Sequence, residues 1–147
     1  MTLVAKILHS KPDPTVHTIA PTASVFDALE RMAEKGIGAL LVTEGDAIVG
    51  ILTERDYSRK IVLMGRTSAA TLVRDAMTTP VMFVRSSQTS EQCMQLMTTN
   101  RVRHLPVVDD GKLVGMVSIG DLVKNIISEQ KFIIEQLENY ITGAPGP

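Results

Sequence analysis

The chain contains an internal repeat, because a shift of 65 residues superposes residues 18–62 on residues 83–127 without a gap. Apolar residues coincide almost throughout, as in the pair Leu40 and Leu105. The shift also superposes Asp56 on Asp121. A repeat of this length is a complete supersecondary unit, and two copies in one chain predict a body with pseudo-two-fold symmetry. We therefore expect the functional residues to lie where the two copies meet.

The hydrophobic pattern of each copy predicts the order strand, helix, strand, strand, helix, which is an α+β fold. In the first copy, the strands are predicted at residues 16–19, 39–42 and 48–52, and the helices at 24–36 and 53–64. In the second copy, the strands are predicted at 82–84, 102–108 and 113–117, and the helices at 89–99 and from residue 118 onward. The final helix carries more apolar surface than one small lobe needs.

Composition predicts the domain boundaries. Residues 65–71 are rich in Gly, Ser, Thr and Ala, which favours a linker. The linker separates a first repeat with an N-terminal helix, residues 1–64, from a second repeat with a long C-terminal helix, residues 72–142. Residues 143–147 are predicted to be a disordered tail. An apolar segment precedes each copy, and four additional residues, 9–12, lengthen the connection after the first of these segments.

Charge and composition argue against several classes of partner. The formal charge is −1, from 15 basic and 16 acidic residues, so no long-range field favours nucleic acid or an anionic membrane. No apolar run approaches the roughly 20 residues that span a bilayer, and we expect a cytoplasmic protein. The single cysteine, Cys93, aligns with Ala28 and is predicted to be a small buried hydrophobe. The histidines lack metal-ligand spacing, so no metal site is predicted.

Several common catalytic motifs are absent from the sequence. It lacks a glycine-rich phosphate loop, a nucleophile elbow and a zinc-protease helix, and no nucleophile has an evident base partner. We therefore expect a protein that is not an enzyme.

Both copies resemble the cystathionine-β-synthase (CBS) domain. In the second copy, the resemblance lies in residues 73–77, 100–109, 111–115 and Ser118-Ile-Gly-Asp121. In the first copy, it lies in residues 36–42, 48–50 and Thr53-Glu-Arg-Asp56. Residues 2–130 thus look like a stand-alone pair of CBS domains. The resemblance implies a β-α-β-β-α fold for each copy, with two clefts between the copies that commonly bind adenosine-containing ligands.

Two Ser/Thr-x-x-Asp motifs, Thr53 to Asp56 and Ser118 to Asp121, are predicted where a strand becomes a helix. Backbone N–H groups and the positive end of a helix favour oxygen-rich ligands at such a junction. An ionised aspartate can accept hydrogen bonds from both hydroxyls of a ribose. The same spacing is also that of a capping box, so the spacing alone leaves a cap and a ribose contact open. The family resemblance favours the ribose contact.

Similarity to the nucleotide-binding γ subunit of AMP-activated kinase implies that each cleft combines residues of both copies. The first cleft would contain Ser118, Asp121, His17, Ile37, Gly38 and Ala39. The second cleft would contain Thr53, Asp56, Met82, Val102, Arg103 and His104. Arg103 and His104 occupy the position at which that subunit places a phosphate-contacting basic pair, and both are predicted to lie on a strand.

These expectations favour a regulatory sensor module that binds AMP, ADP, ATP, NAD or S-adenosylmethionine as an effector and requires no cofactor. The alternatives are a structural dimerisation module without a physiological ligand and, third, an enzyme that acts on a nucleotide. The long apolar helix predicts a homodimer. The downstream protein partner is not legible from the sequence.

Overall fold

A computed structural model describes residues 2–142 of the chain. The α+β class and the two copies of the same motif are both confirmed. In chain order, the helices and strands are α1 (Val4–Ser10), β1 (Thr18–Ile19), α2 (Val25–Lys35), β2 (Ala39–Glu44), β3 (Ala47–Thr53), α3 (Glu54–Asp56), α4 (Ser90–Asn100), β4 (His104–Asp109), β5 (Lys112–Ser118) and α5 (Ile119–Thr142). A π-helical turn, Tyr57–Val62, follows α3, and a 3-10 turn, Val73–Asp75, lies between the copies.

The fold divides into two compact units. Residues 15–83 form the first-copy unit, and residues 2–14 together with 84–142 form the second-copy unit. Each unit has its own apolar core. The core of the first-copy unit includes Val25, Leu40 and Leu52, and that of the second-copy unit includes Leu105 and Leu122.

The two hairpins have the same register. Ala39 pairs with Thr53 in the first copy, and His104 pairs with Ser118 in the second, which is the same pairing after the 65-residue shift. The irregularity in the ladder recurs as well, between residues 42 and 43 and again between residues 107 and 108. The internal repeat is therefore a repeat of backbone geometry.

The first strand of each copy is shorter than predicted. β1 pairs with β2 in parallel over two residues, and the backbone N–H of Leu41 also donates to His17 O at 3.2 Å. In the second copy, the predicted strand 82–84 is reduced to one bridge between Val84 and Val107. Pro106 stands where Leu41 stands, and because proline has no N–H it cannot form the corresponding bond.

The predicted helix starts and ends are largely confirmed. Ser24 accepts a hydrogen bond from Asp27 N and begins α2, which ends at Gly36 in the left-handed conformation. Thr89 and Gln92 form a reciprocal capping box at the start of α4. The second helix of the first copy departs from the prediction, because its α-helical part ends at Asp56 and continues as the π-helical turn.

The apolar segment that precedes each copy packs in the unit of the other copy. Val4 lies in the core of the second-copy unit and is fully buried, and its N–H donates to Gln88 O at 2.8 Å. Val73 is likewise fully buried in the first-copy unit, and its N–H donates to Ala23 O at 2.8 Å. The two antiparallel bridges correspond as well, Leu3 with Thr89 and Leu72 with Ser24.

The packing of these two segments differs from the domain division predicted from composition. The division itself stays a prediction. The prediction placed the N-terminal helix with the first repeat and residues 72 onward with the second, whereas α1 packs with the second copy and residues 72–77 pack with the first. Each segment covers a hairpin glycine. A Cβ atom on Gly115 would lie 2.7 Å from Leu8 Cδ2, and one on Gly50 would lie 2.9 Å from Met77 Cγ. The predicted tail, residues 143–147, lies outside the described residues.

Helix α5 is far longer than its counterpart in the first copy. Its 24 residues extend about 36 Å at 1.5 Å per residue. Leu122 is its one buried residue within the described chain. The large exposed hydrophobic side chains of this helix are Ile119, Val123, Ile126, Ile127, Phe132, Ile133, Ile134, Leu137, Tyr140 and Ile141.

Candidate functional site

Both Ser/Thr-x-x-Asp motifs lie where a strand ends and a helix begins. Thr53 is the last residue of β3, and Asp56 N donates to Thr53 Oγ1 at 3.1 Å while Thr53 N donates to Asp56 Oδ2 at 3.0 Å. Ser118 is the last residue of β5, and Asp121 N donates to Ser118 Oγ at 3.2 Å while Ser118 N donates to Asp121 Oδ2 at 2.9 Å. Both aspartates therefore cap their helices, and each cap occupies only the Oδ2 atom.

The Asp56 carboxylate is buried, with 7% of the residue exposed. Its other oxygen, Oδ1, accepts a hydrogen bond from Thr78 Oγ1 at 2.8 Å and forms an ion pair with Lys60 Nζ at 3.2 Å. Lys60 Nζ also donates to Ala76 O at 3.0 Å and to Met77 O at 3.2 Å. Lys60 therefore joins the aspartate to the chain segment that packs on the first copy.

The Asp121 carboxylate is paired differently. Lys11 Nζ lies 3.0 Å from Asp121 Oδ2, the oxygen that also receives the cap, and donates to Met116 O at 2.9 Å. Lys11 belongs to the four additional residues, 9–12, that lengthen the connection after α1. Within residues 2–142, no hydrogen bond reaches Asp121 Oδ1. This oxygen keeps its lone pairs for another donor.

The sequence explains why the two lysines come from different places. The 65-residue shift superposes Lys60 on Asn125, which has no positive charge. Asn125 Oδ1 is buried and accepts no hydrogen bond within the described chain. The positive charge beside Asp121 comes instead from the lengthened connection, through Lys11.

Two of the remaining first-copy residues of the predicted clefts, Gly38 and Ala39, lie beside the Thr53 junction. Gly38 O accepts a hydrogen bond from Glu54 N at 3.1 Å, so the start of β2 lies beside the start of α3. Ala39, which pairs with Thr53, is buried. His17 and Ile37 are half-buried.

Two of the predicted second-copy residues, Arg103 and His104, lie beside the Ser118 junction. Arg103 O accepts a hydrogen bond from Ile119 N at 2.9 Å, and His104 pairs with Ser118 across the hairpin. The prediction that Arg103 lies on a strand is wrong, because β4 begins at His104 and Arg103 occupies the exposed bend before it. Val102 is half-buried, and its N–H donates to Met97 O at 3.1 Å.

Met82, the remaining predicted residue, belongs to the first-copy unit. It lies outside any strand and is exposed. Each predicted cleft draws on residues of both units, and that pairing stays a prediction.

A cavity of about 510 Å³ lies within the first-copy unit, next to the Thr53 junction. It is lined by Leu29, Met32, Ala33, Gly36, Ile37, Gly38, Glu54, Tyr57 and Ser58. Two predicted cleft residues, Ile37 and Gly38, are among them, whereas Glu54, Tyr57 and Ser58 were not predicted.

Sequence reasoning also missed the two lysines and Thr78. The spacing of Asp56 and Lys60, four residues apart in a helix, is a signal that indicates a pair. No local signal connects Lys11 with Asp121, since 110 residues separate them.

Other kinds of site find no support in the part of the chain that the structure describes. None of its clusters of His, Cys, Asp and Glu could hold a metal ion. Across residues 2–142, the helices are too short or too polar to cross a membrane.

Comparison with known proteins agrees with this geometry. The sequence profile of the CBS domain matches twice, at residues 4–63 and 73–128. The chain belongs to the CBS-domain family. It is 42% identical over 125 residues to the CBS domain-containing protein CBSX3, mitochondrial, of Arabidopsis thaliana, covering 82% of this chain and 61% of that protein. The chain thus spans about three fifths of the length of this relative.

Solved structures of CBS-domain proteins have the same fold. A protein with CBS domains from Burkholderia ambifaria MC40-6, whose assignment to signal transduction is provisional, is 56% identical with a TM-score of 0.85. The match covers 88% of this chain and 96% of that one. The structure of CBSX2 in complex with AMP is 29% identical with a TM-score of 0.70, covering 88% of this chain and 99% of that one.

Proposed function

We propose that this CBS-domain pair is a regulatory module that binds an adenosine-containing ligand, with Asp56 and Asp121 as the ribose-binding carboxylates. The observation that carries the proposal is the position of the two aspartates. Each is held at a strand-to-helix junction by a cap that uses Oδ2, and the Asp121 cap leaves Oδ1 open to a donor. The AMP complex of CBSX2 supports an adenine nucleotide as the ligand class.

Ligand binding then acts as a signal because a ligand that contacts both copies favours one relative arrangement of them. Such a ligand shifts a conformational equilibrium by as much as its affinities for the two arrangements differ. The module performs no chemistry in this proposal. Its phosphate contacts are assigned to Arg103 and His104, and its adenine contacts to Ile37, Gly38 and Ala39, with His17, Met82 and Val102 beside them.

A thermal-shift titration tests the proposal, with AMP, ADP, ATP, NAD and S-adenosylmethionine as probes. A ligand that binds only the folded protein raises the free energy of unfolding, by about 2.7 kcal/mol at 100 times the Kd, and the melting temperature rises with it. We expect a shift with at least one probe and a smaller shift for Asp121→Ala.

The matched control is Asp27→Ala, which removes an aspartate from the corresponding position of α2, three residues after the Ser24 cap, where its negative charge stabilises the first helical turn. It should lose stability without losing the ligand-induced shift. A shift that Asp121→Ala and Asp27→Ala reduce equally would contradict the assignment of Asp121 to the ribose.

A second candidate function, structural dimerisation, is favoured by the exposed apolar side chains of α5. A second copy of this chain is the proposed cover for them, which makes the module a homodimer. If no probe changes the melting temperature of nucleotide-free protein, dimerisation without a ligand becomes the better account. The cytoplasmic location stays a prediction, and the CBSX3 relative carries a mitochondrial designation.

A further inference from the structure

We infer that Thr78 and Lys60 make the two ribose-binding carboxylates unequal, so that Asp121 binds an adenosine ligand before Asp56 does. This inference rests on the proposed function. It concerns the order and affinity of binding, which the repeat symmetry alone would make equal.

Protein donors occupy both oxygens of the Asp56 carboxylate. Three side chains donate to the Asp56 carboxylate. Thr53 Oγ1 lies 3.1 Å from Oδ2, Thr78 Oγ1 lies 2.8 Å from Oδ1, and Lys60 Nζ lies 3.2 Å from Oδ1. An ionised carboxylate offers about four lone-pair sites. With Thr53 N as the fourth donor, these sites are filled.

At Asp121, the protein donors contact only Oδ2 within the described chain. Lys11 shares Oδ2 with the cap, so the positive charge neutralises the carboxylate without covering Oδ1. The residue that corresponds to Lys60 is Asn125, and within the described chain it forms no bond to Asp121. A pair of ribose hydroxyls can therefore reach Asp121 without displacing a protein donor.

Ribose binding at Asp56 requires the displacement of a protein donor from Oδ1. A ribose must replace either Thr78 Oγ1 or Lys60 Nζ, and Lys60 is also held by Ala76 O and Met77 O. The hydroxyl of Thr78 is the easier donor to remove. A hydrogen bond to a charged group is worth enough that its removal changes an affinity by about tenfold or more.

Isothermal titration with AMP on the full chain tests the inference. We expect Asp56→Ala to keep the tighter AMP binding and Asp121→Ala to keep only the weaker binding. Thr78→Val added to Asp121→Ala should tighten the remaining binding about tenfold, because Oδ1 of Asp56 then has a free position. Thr78→Val retains the side-chain volume and both backbone bonds to Ile51.

The matched control is Thr78→Val added to Asp56→Ala, which should leave the AMP affinity unchanged, since the carboxylate that Thr78 contacts is gone. Titration with 2′-deoxy-AMP gives a second readout. The tighter site of the parent protein should bind AMP more tightly than it binds 2′-deoxy-AMP. In Asp121→Ala, this tighter site and its preference for AMP should both be lost.

The outcomes separate the two proposals. Equal AMP affinities for Asp56→Ala and Asp121→Ala, or no gain from Thr78→Val in the Asp121→Ala protein, would overturn the inference and leave the proposed function standing. If the parent protein binds none of the adenosine probes, both are overturned. If Thr78→Val weakens AMP binding in the Asp121→Ala protein, Thr78 is a ligand contact and the inference is wrong.

Discussion

Val4→Ala tests the crossed packing of the two apolar segments. The substitution removes two carbon atoms, equivalent to two methylene groups, from a fully buried side chain in the second-copy core. Their transfer contributes about 0.8 kcal/mol each, or roughly 1.6 kcal/mol. A residual cavity of about 40 Å³ adds about 1 kcal/mol at ~24 cal/mol per Å³. The expected loss is therefore ~2.5 kcal/mol from the second-copy unit.

Amide hydrogen exchange followed by mass spectrometry resolves where this loss falls. A loss of ~2.5 kcal/mol accelerates exchange through local opening by roughly 60-fold. We expect the acceleration in peptides of β4 and β5, although Val4 precedes the first copy in sequence. Val73→Ala is the matched variant, also fully buried, and should accelerate exchange in β2 and β3. Faster exchange in β2 and β3 for Val4→Ala, with β4 and β5 unchanged, would refute the crossed packing.

Cys93 is buried, and burial raises the pKa of its thiol. A thiol reagent at pH 8 should therefore label it slowly in the native protein and at once in urea. Rapid labelling of the native protein would contradict the burial of Cys93. The hydroxyl and N–H of Ser86 donate to Asp109 at 2.5 Å and 3.0 Å and lower the pKa of that carboxyl. A lowered folded pKa stabilises the fold above the unfolded value of about 4, and this stabilisation is lost as the pH falls through the folded pKa. Ser86→Ala should therefore be less stable than the parent at pH 7, with the difference in urea unfolding shrinking below about pH 4; a difference that stays constant to pH 3 would contradict this account.

Sequence periodicity predicted the local structure because local structure depends on neighbouring residues. As predicted, α2 begins after Ser24 and ends at Gly36, since a hydroxyl cap and a left-handed glycine act within one helical turn. The shared hairpin register followed from the repeat, because the same alternation of apolar residues favours the same pairing. The short second-copy bridge was missed because the effect of Pro106 depends on which strand edge receives a partner.

Only those features of the candidate site that depend on neighbouring residues could be predicted from the sequence. The positions of Asp56 and Asp121 at strand-to-helix junctions were predicted because the capping motif and the junction are contiguous in sequence, whereas their role as ligand contacts stays a prediction. Lys11 was missed because its contact with Asp121 depends on the crossing of α1 to the other copy. The apolar pattern indicates that one side of residues 3–8 is buried, but it does not show against which of two similar hairpins.

The crossed packing also orders events during synthesis of the chain. The first-copy unit is one continuous stretch, so it is complete once residue 83 has left the ribosome. The second-copy unit needs both ends of the described chain, and α1 must wait for about 100 further residues before its hairpin exists. At about 5–20 residues per second, the N-terminal apolar segment stays unprotected for several seconds or more. Removal of α1 would therefore perturb the second-copy unit, which is synthesised after it.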